Sequence, residues 1–154
     1  MQSSHDKTAM YQRFAVMMVL SFVLMFAFMY AMVDSLANVY PNLNQAYMAG
    51  LMVAPMAILE LLLMGGMYPN KKWNVVIIGL AALFLLLCWF GIREQTAITN
   101  KSFLRSMIPH HAGAILMCNK APITDAELRN LCSNIVKSQQ QEIDQMKNML
   151  QRLK

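Results

Sequence analysis

The chain has 154 residues, of which 57% are hydrophobic and only 14% charged, with a formal net charge of +5. A water-soluble fold of this size has too little interior to hide so much apolar surface. The lack of any basic cluster with interleaved aromatics argues against a nucleic-acid partner. Charge is also unevenly placed, since only Asp6, Asp34 and Glu60 among the acidic residues precede Arg93. Sixteen methionines stand out. Met fills irregular apolar packing, which accounts for those in apolar segments, and its thioether is also a soft ligand suited to Cu(I).

Twenty uncharged residues, Phe14 to Val33, form the first predicted span. At 1.5 Å per residue they cover a hydrocarbon core of roughly 30 Å. Ser35-Leu36-Ala37 is a weak cleavage signal, so the segment reads as a retained span rather than a signal peptide. Residues 47–68 form the second span, interrupted by Pro55 and Glu60, and residues 73–92 form the third. Trp73, Trp89, Tyr40, Tyr47 and Tyr68 sit where interfacial aromatics are expected. Lys7 and Arg13 flank the first span, Lys71 and Lys72 precede the third, and the first connection, 34–46, has no Lys or Arg. The positive-inside rule then puts the N-terminus in the cytoplasm and, after an odd number of spans, the C-terminal tail outside. Arg93, Lys101 and Arg105 weigh mildly the other way.

Glu60 lies near the middle of the second span, where an ionisable group costs at least about 2.5 kcal/mol unless it faces protein or water. It shares a helical stripe with Met52, Met56, Met64 and Met67. The simpler expectation is a neutral Glu hydrogen-bonded to a neighbouring helix or to its own copy. A cation path lined by Glu60 and Met is the bolder one. Gly65-Gly66 is a candidate for close helix packing.

After Ile92 the pattern changes. Thr99 or Asn100 can cap an amphipathic helix through Phe103, Leu104, Met107, His110, His111, Ala114, Ile115 and Cys118. Pro109 inside it should kink the helix and frees the carbonyl of Arg105. Ala121-Pro122-Ile123-Thr124 breaks the chain, and Thr124 or Asp125 caps a second helix with acidic residues in its first turn. That helix has one broad apolar face with two polar exceptions, Gln139 and Glu142. Folding the hairpin about residue 124 or 125 sets His110 and His111 opposite Gln139 and Glu142, with Met107, Met117 and Met146 on the same faces. Imidazole with thioether suits Cu(I) or Ag(I), whereas imidazole with carboxylate also accepts Zn(II) or Fe. Adjacent histidines diverge by about 100° on a helix, so one should face the hairpin and the other a rim or a neighbouring subunit. The plainer alternative is a His–Glu hydrogen-bond network that only orders a polar layer.

The run Phe103-Leu104-Arg105-Ser106-Met107-Ile108-Pro109-His110-His111, followed by Ala114 and Met117, resembles the signature of the bacterial domain-of-unknown-function family 305. The run Ser138-Gln139-Gln140-Gln141-Glu142-Ile143-Asp144-Gln145-Met146 resembles that family's second signature. The resemblance covers residues 99–154 and implies a ferritin-like bundle, with copper or silver binding outside the cytoplasm. It implies Met107, His110, His111, Met117, Glu142 and Met146 as ligands. The chain differs from many relatives in having a single hairpin behind a three-span anchor.

Cys118 and Cys132 lie almost symmetrically about the fold-back point, within reach of a disulfide in an oxidising compartment; as free thiols they would add soft ligands. Cys88, inside the third span, reads as packing. The expected fold class is therefore all-α: an anchor, 1–98, of three transmembrane helices, then a two-helix hairpin, 99–154. A lone hairpin leaves one face wet, so a homo-oligomer is expected to complete the bundle. The leading functional expectation is a membrane-anchored protein of the bacterial plasma membrane that binds or buffers Cu(I) or Ag(I) at the extracytoplasmic surface, with a copper-handling protein as a possible partner. A structural accessory subunit is the alternative. An enzyme is not expected, because the paired Glu-x-x-His motifs of di-iron bundles and any nucleophile–base arrangement are absent from the sequence.

Overall fold

The computed structural model describes residues 4–153, with side chains from residue 8 onward. Lys7, used in the charge reading, lies outside the described side chains. The described chain is helical throughout, without strands. Its five α-helices are α1 (Ser4–Phe28), α2 (Leu43–Leu63), α3 (Lys71–Arg93), α4 (Asn100–Lys120) and α5 (Ala126–Arg152), with short 3-10 turns at Met29–Met32 and Leu36–Asn38. Three stretches, Thr8–Met32, Leu43–Leu63 and Lys71–Arg93, are long and apolar enough to cross a membrane. Side chains such as Val19, Leu20, Val75 and Leu87 stand exposed along them. Water tolerates apolar patches of that extent poorly, whereas lipid is their natural solvent.

Contacts divide the chain into two compact units: residues up to Phe28 with Ala46–Thr96, and Met29–Gln45 with the segment from Ala97 onward. In the first unit Phe14, Ala57, Leu61 and Tyr68 form a buried cluster flanked by Tyr11, Met18, Ile77, Ile78 and Ala81. Tyr11 donates from its hydroxyl to Asn74 Oδ1 at 2.7 Å. Asn74 Nδ2 donates to the Tyr68 carbonyl at 3.0 Å. Asn70 caps α3 by accepting from the Trp73 amide at 3.2 Å. The start of α1 therefore meets the connection that leads into α3. The glycines that meet a neighbouring helix closely are not Gly65-Gly66, as the sequence suggested, but Gly50 on α2 and Gly91 on α3. A Cβ on Gly91 would come within 2.9 Å of the Tyr47 ring, and one on Gly50 within 2.6 Å of Cys88 Sγ, whereas Gly66 has open space. Gly66 falls in the turn after α2, where no neighbouring helix faces it.

Glu60 finds its hydrogen-bond partner neither on a neighbouring helix nor on a copy, but in the connection that follows its own helix. Its Oε1 accepts a hydrogen bond from the Tyr68 hydroxyl at 3.0 Å, within the same unit. Met52, Met56, Met64 and Met67 are all exposed. The thioethers thus lie along an outward face rather than around the carboxylate.

In the second unit α4 and α5 pack as the expected hairpin. Its core is Leu104, Ile108, Ala112, Ile115, Ile143 and Met146, with Ile108 and Ile143 fully buried. Thr99 caps α4 by accepting from the Ser102 amide at 3.2 Å, and Asp125 caps α5 by accepting from the Leu128 amide at 2.8 Å. α4 runs unbroken through Pro109. The end of the segment read as the first span, from Met29 on, joins this unit together with most of the connection that follows it. Val33 and Tyr40 pack against the hairpin core, and Asn44 Nδ2 donates to Ser106 Oγ at 3.2 Å. Tyr40, expected as an interfacial aromatic, is used here as core. One face that a bare hairpin would leave wet is thereby covered from within the same chain.

Candidate functional site

α4 and α5 bring one histidine and one carboxylate together at mid-hairpin. His111 is on the buried face of α4, in register with Leu104, Ile108 and Ile115, and is only 7% exposed. Its Nδ1 lies 2.9 Å from the carbonyl oxygen of Met107, one turn back. A carbonyl can only accept, so Nδ1 carries the proton and donates. That fixes the ring and aims Nε2 at α5, where it meets Glu142 Oε2 at 2.6 Å. The carboxylate is at the rim, its side chain 51% exposed while the imidazole side chain is 9% exposed. Two lone-pair-bearing atoms this close need a shared proton between them. That position, on an imidazole oriented through its other nitrogen by a backbone carbonyl, is also the coordinating one in histidine metal sites.

The implied ligands divide into two groups. Met146 is in the buried core, and Met107, half-buried, packs against the same cluster. Met146 is thus inside the hairpin core, while Met107 flanks it and stays partly open to the outer face of α4. His110 is exposed, and its ring centroid is 6.2 Å from that of His111. Met117 is 53% exposed and follows His111 by six residues, about 9 Å along the helix. These two face outward, as the divergence of adjacent histidines requires. Among the described residues no group of three or more His, Cys, Asp or Glu side chains gathers as a metal cage. A hard, carboxylate-rich cluster is thus not gathered among the described residues; imidazole and thioether are in any case soft donors.

The sequence did not reveal the support behind this layer. Asn42 Nδ2 donates to the Arg105 carbonyl at 3.4 Å, and Asn42 Oδ1 accepts from the Gln45 amide at 3.0 Å, capping α2. The cap was legible in principle as Asn-x-x-Gln ahead of an apolar run; its second bond, to a residue 63 positions away, was not. At the turn end of the hairpin the structure pairs Cys118 and Cys132 in a disulfide, with Cα atoms 5.2 Å apart. Cys88 is free and buried.

Residues 92–150 match the family described as Domain of unknown function (DUF305). The chain is also 31% identical over 121 residues to "Uncharacterized protein L153" of Acanthamoeba polyphaga mimivirus, an alignment that takes in 76% of each chain. The chain belongs to this DUF305 family. The aligned share is too long to fit within the hairpin, so the likeness to the viral protein extends into the apolar front part. No solved structure matches the chain. His111 and Glu142 both lie within the matched residues, and their bond joins α4 to α5 inside that range.

Proposed function

We propose that this protein is a membrane-anchored binder of soft monovalent metal ions, Cu(I) or Ag(I), held on the hairpin and not an enzyme. The observation that carries the reading is the posture of His111. Nδ1 is tied to the Met107 carbonyl, and Nε2 is presented to Glu142 on a hairpin whose core contains Met146 and is flanked by the partly buried Met107. Cu(I) accepts low coordination numbers and soft donors, so an imidazole with one or two thioethers suffices. On binding, the ion takes the place of the proton shared by His111 and Glu142, and the freed carboxylate at the rim balances its charge. The hairpin is proposed to face an oxidising, extracytoplasmic compartment. The Cys118–Cys132 disulfide and the two lysines that open α3, Lys71 and Lys72, support that orientation. The bacterial plasma membrane is favoured by the motif resemblance alone, and the viral relative makes other membranes equally suitable.

Association of copies is part of the proposal. Phe103, Met107, His110, Ala114 and Met117 recur at alternating spacings of four and three along α4, the seam on which one helix docks another. Phe103 is 49% and Met117 53% exposed. A second copy on that seam would bring its own His110 and Met117 to the layer. Light scattering in mild detergent should give a dimer or larger assembly, and a monomer would remove this element.

The structural reading stays in view because the His111–Glu142 bond is already satisfied within one chain, so the pair could serve only to order the hairpin. An anaerobic Cu(I) titration of the purified protein against a chromophoric chelator separates the two. Tight binding that is lost in His111→Ala supports the metal reading. No competition with the chelator, or equal competition by parent and variant, leaves the structural one.

A further inference from the structure

The hairpin's turn end carries a second feature that the His111 site does not use. Cys118, in the last turn of α4, and Cys132, in the second turn of α5, are both half-buried rather than sealed. Together they line an open depression of about 440 Å³ with Asn119, Ala121, Ile123, Arg129, Ser133 and Val136. The bridge is thus reached from a mixed surface that includes a basic residue, rather than sealed under apolar side chains. The hairpin core from Leu104 to Ile115 on α4 and at Ile143 and Met146 on α5 lies deeper and does not include either cysteine. Opening the bridge therefore leaves the core contacts in place. It also leaves two sulfurs on backbone positions 5.2 Å apart, the separation from which two thiolates can grip one ion.

We propose that Cys118 and Cys132 form a redox-gated second site for a soft metal ion, closed as the disulfide and opened by a dithiol reductant. A thiolate of the reductant attacks one sulfur of the bridge, that S–S bond breaks, and a mixed disulfide forms. The reductant's second thiol then displaces the protein sulfur, so the reductant leaves as its own disulfide having given up two electrons. Its two thiol protons pass to Cys118 and Cys132. Arg129 supplies counter-charge for the incoming thiolate and afterwards for the bound pair. Cu(I) then binds between the sulfurs and displaces their two protons. The choice of Cu(I) rests on the proposed function, but the site is separate from His111 and Glu142.

The test uses the full-length protein in detergent. One sample is kept oxidised; the other is treated with dithiothreitol without denaturant, then desalted anaerobically. Cu(I) is titrated into both against a chromophoric chelator, in the parent, in His111→Ala and in Cys118→Ser/Cys132→Ser. Reduction should add one equivalent of bound Cu(I) in the parent and in His111→Ala, and none in the double serine variant. The comparison of oxidised with reduced parent stands even if the serine variant folds poorly, and Cys88 is common to both samples. Equal stoichiometry in the two parent samples overturns the proposal, as does a bridge that dithiothreitol opens only in denaturant. If the oxidised parent binds nothing while the reduced one binds one equivalent, the His111 reading fails and this site stands.

Discussion

Asn42 donates a hydrogen bond to the carbonyl of Arg105, the oxygen that Pro109 deprives of its donor inside α4. The same side chain caps α2 through the Gln45 amide and is 9% exposed. Asn42→Ala removes these together with the bonds its Nδ2 donates to the Tyr40 carbonyl and to Gln45 Oε1, and should lower stability by about 1–2 kcal/mol, mostly from the lost cap. Pro109→Ala returns an N–H to the Arg105 carbonyl, so the Asn42 substitution should cost about 0.5 kcal/mol less in that background. Thermal unfolding of the four proteins, followed by circular dichroism, gives the coupling. Strict additivity would mean that Asn42 acts as a cap alone.

Glu142 makes a separable prediction. In Glu142→Gln the amide can still donate to Nε2 of His111, so the hairpin should melt within about 0.5 kcal/mol of the parent. Glu142→Ala hands Nε2 to water and should cost about 1 kcal/mol. Cu(I) affinity should fall about tenfold in both, because the carboxylate that balances the ion is gone. Melting and chelator competition, measured side by side, decide this. If Gln proves as destabilising as Ala, charge rather than hydrogen bonding holds His111.

Close packing of α2 on α3 depends on two glycines. Gly91→Ala drives a methyl into the Tyr47 ring, which cannot swing away freely because its hydroxyl donates to the Thr96 carbonyl at 2.9 Å. Gly50→Ala meets Cys88 Sγ. Each should cost about 1–3 kcal/mol. Adding Cys88→Ala should recover part of the Gly50→Ala loss by clearing the sulfur. Gly79→Ala, which meets nothing within 4 Å, is the neutral control. Unfolding in detergent reads all four, and a Gly79 variant as damaged as Gly91→Ala would point to helix flexibility instead of packing.

Glu60 and Tyr68 form the remaining pair. Tyr68→Phe should cost about 0.6–1.7 kcal/mol by leaving the carboxyl unpartnered. Glu60→Gln should be mild, since its amide oxygen still accepts from Tyr68. The double variant Tyr68→Phe/Glu60→Leu should approach the parent, because removing both partners leaves no polar atom to satisfy. A double variant worse than either single one would assign Glu60 a role beyond this bond.

The sequence alone determined the helices, because local causes suffice for them. Uninterrupted apolar runs set the three candidate spans. Thr99 and Asp125 set the starts of α4 and α5, and Pro122 set the break between them. The two-fold divergence of His110 and His111 was also legible, as it follows from 3.6 residues per turn. The approach of the His110-His111 pair to Gln139 and Glu142 was legible as well, since all four interrupt apolar faces at similar levels of the hairpin; that His111 is the one bonded to Glu142 came from the packing. Tertiary structure alone decided what each exposed or buried group would touch. Met52 to Met67 share a stripe with Glu60, yet Tyr68 supplies its partner. Gly65-Gly66 has the composition of a packing motif, but Gly50 and Gly91 meet the neighbouring helix. Residues 29–33 read as the end of the first span and 34–46 as a plain connection, yet Val33, Tyr40 and Asn42 join the hairpin. The physical reason is common to these cases. Backbone geometry propagates over one or two turns and is written in adjacent residues, whereas side-chain partners are chosen across tens of residues by the way faces pack.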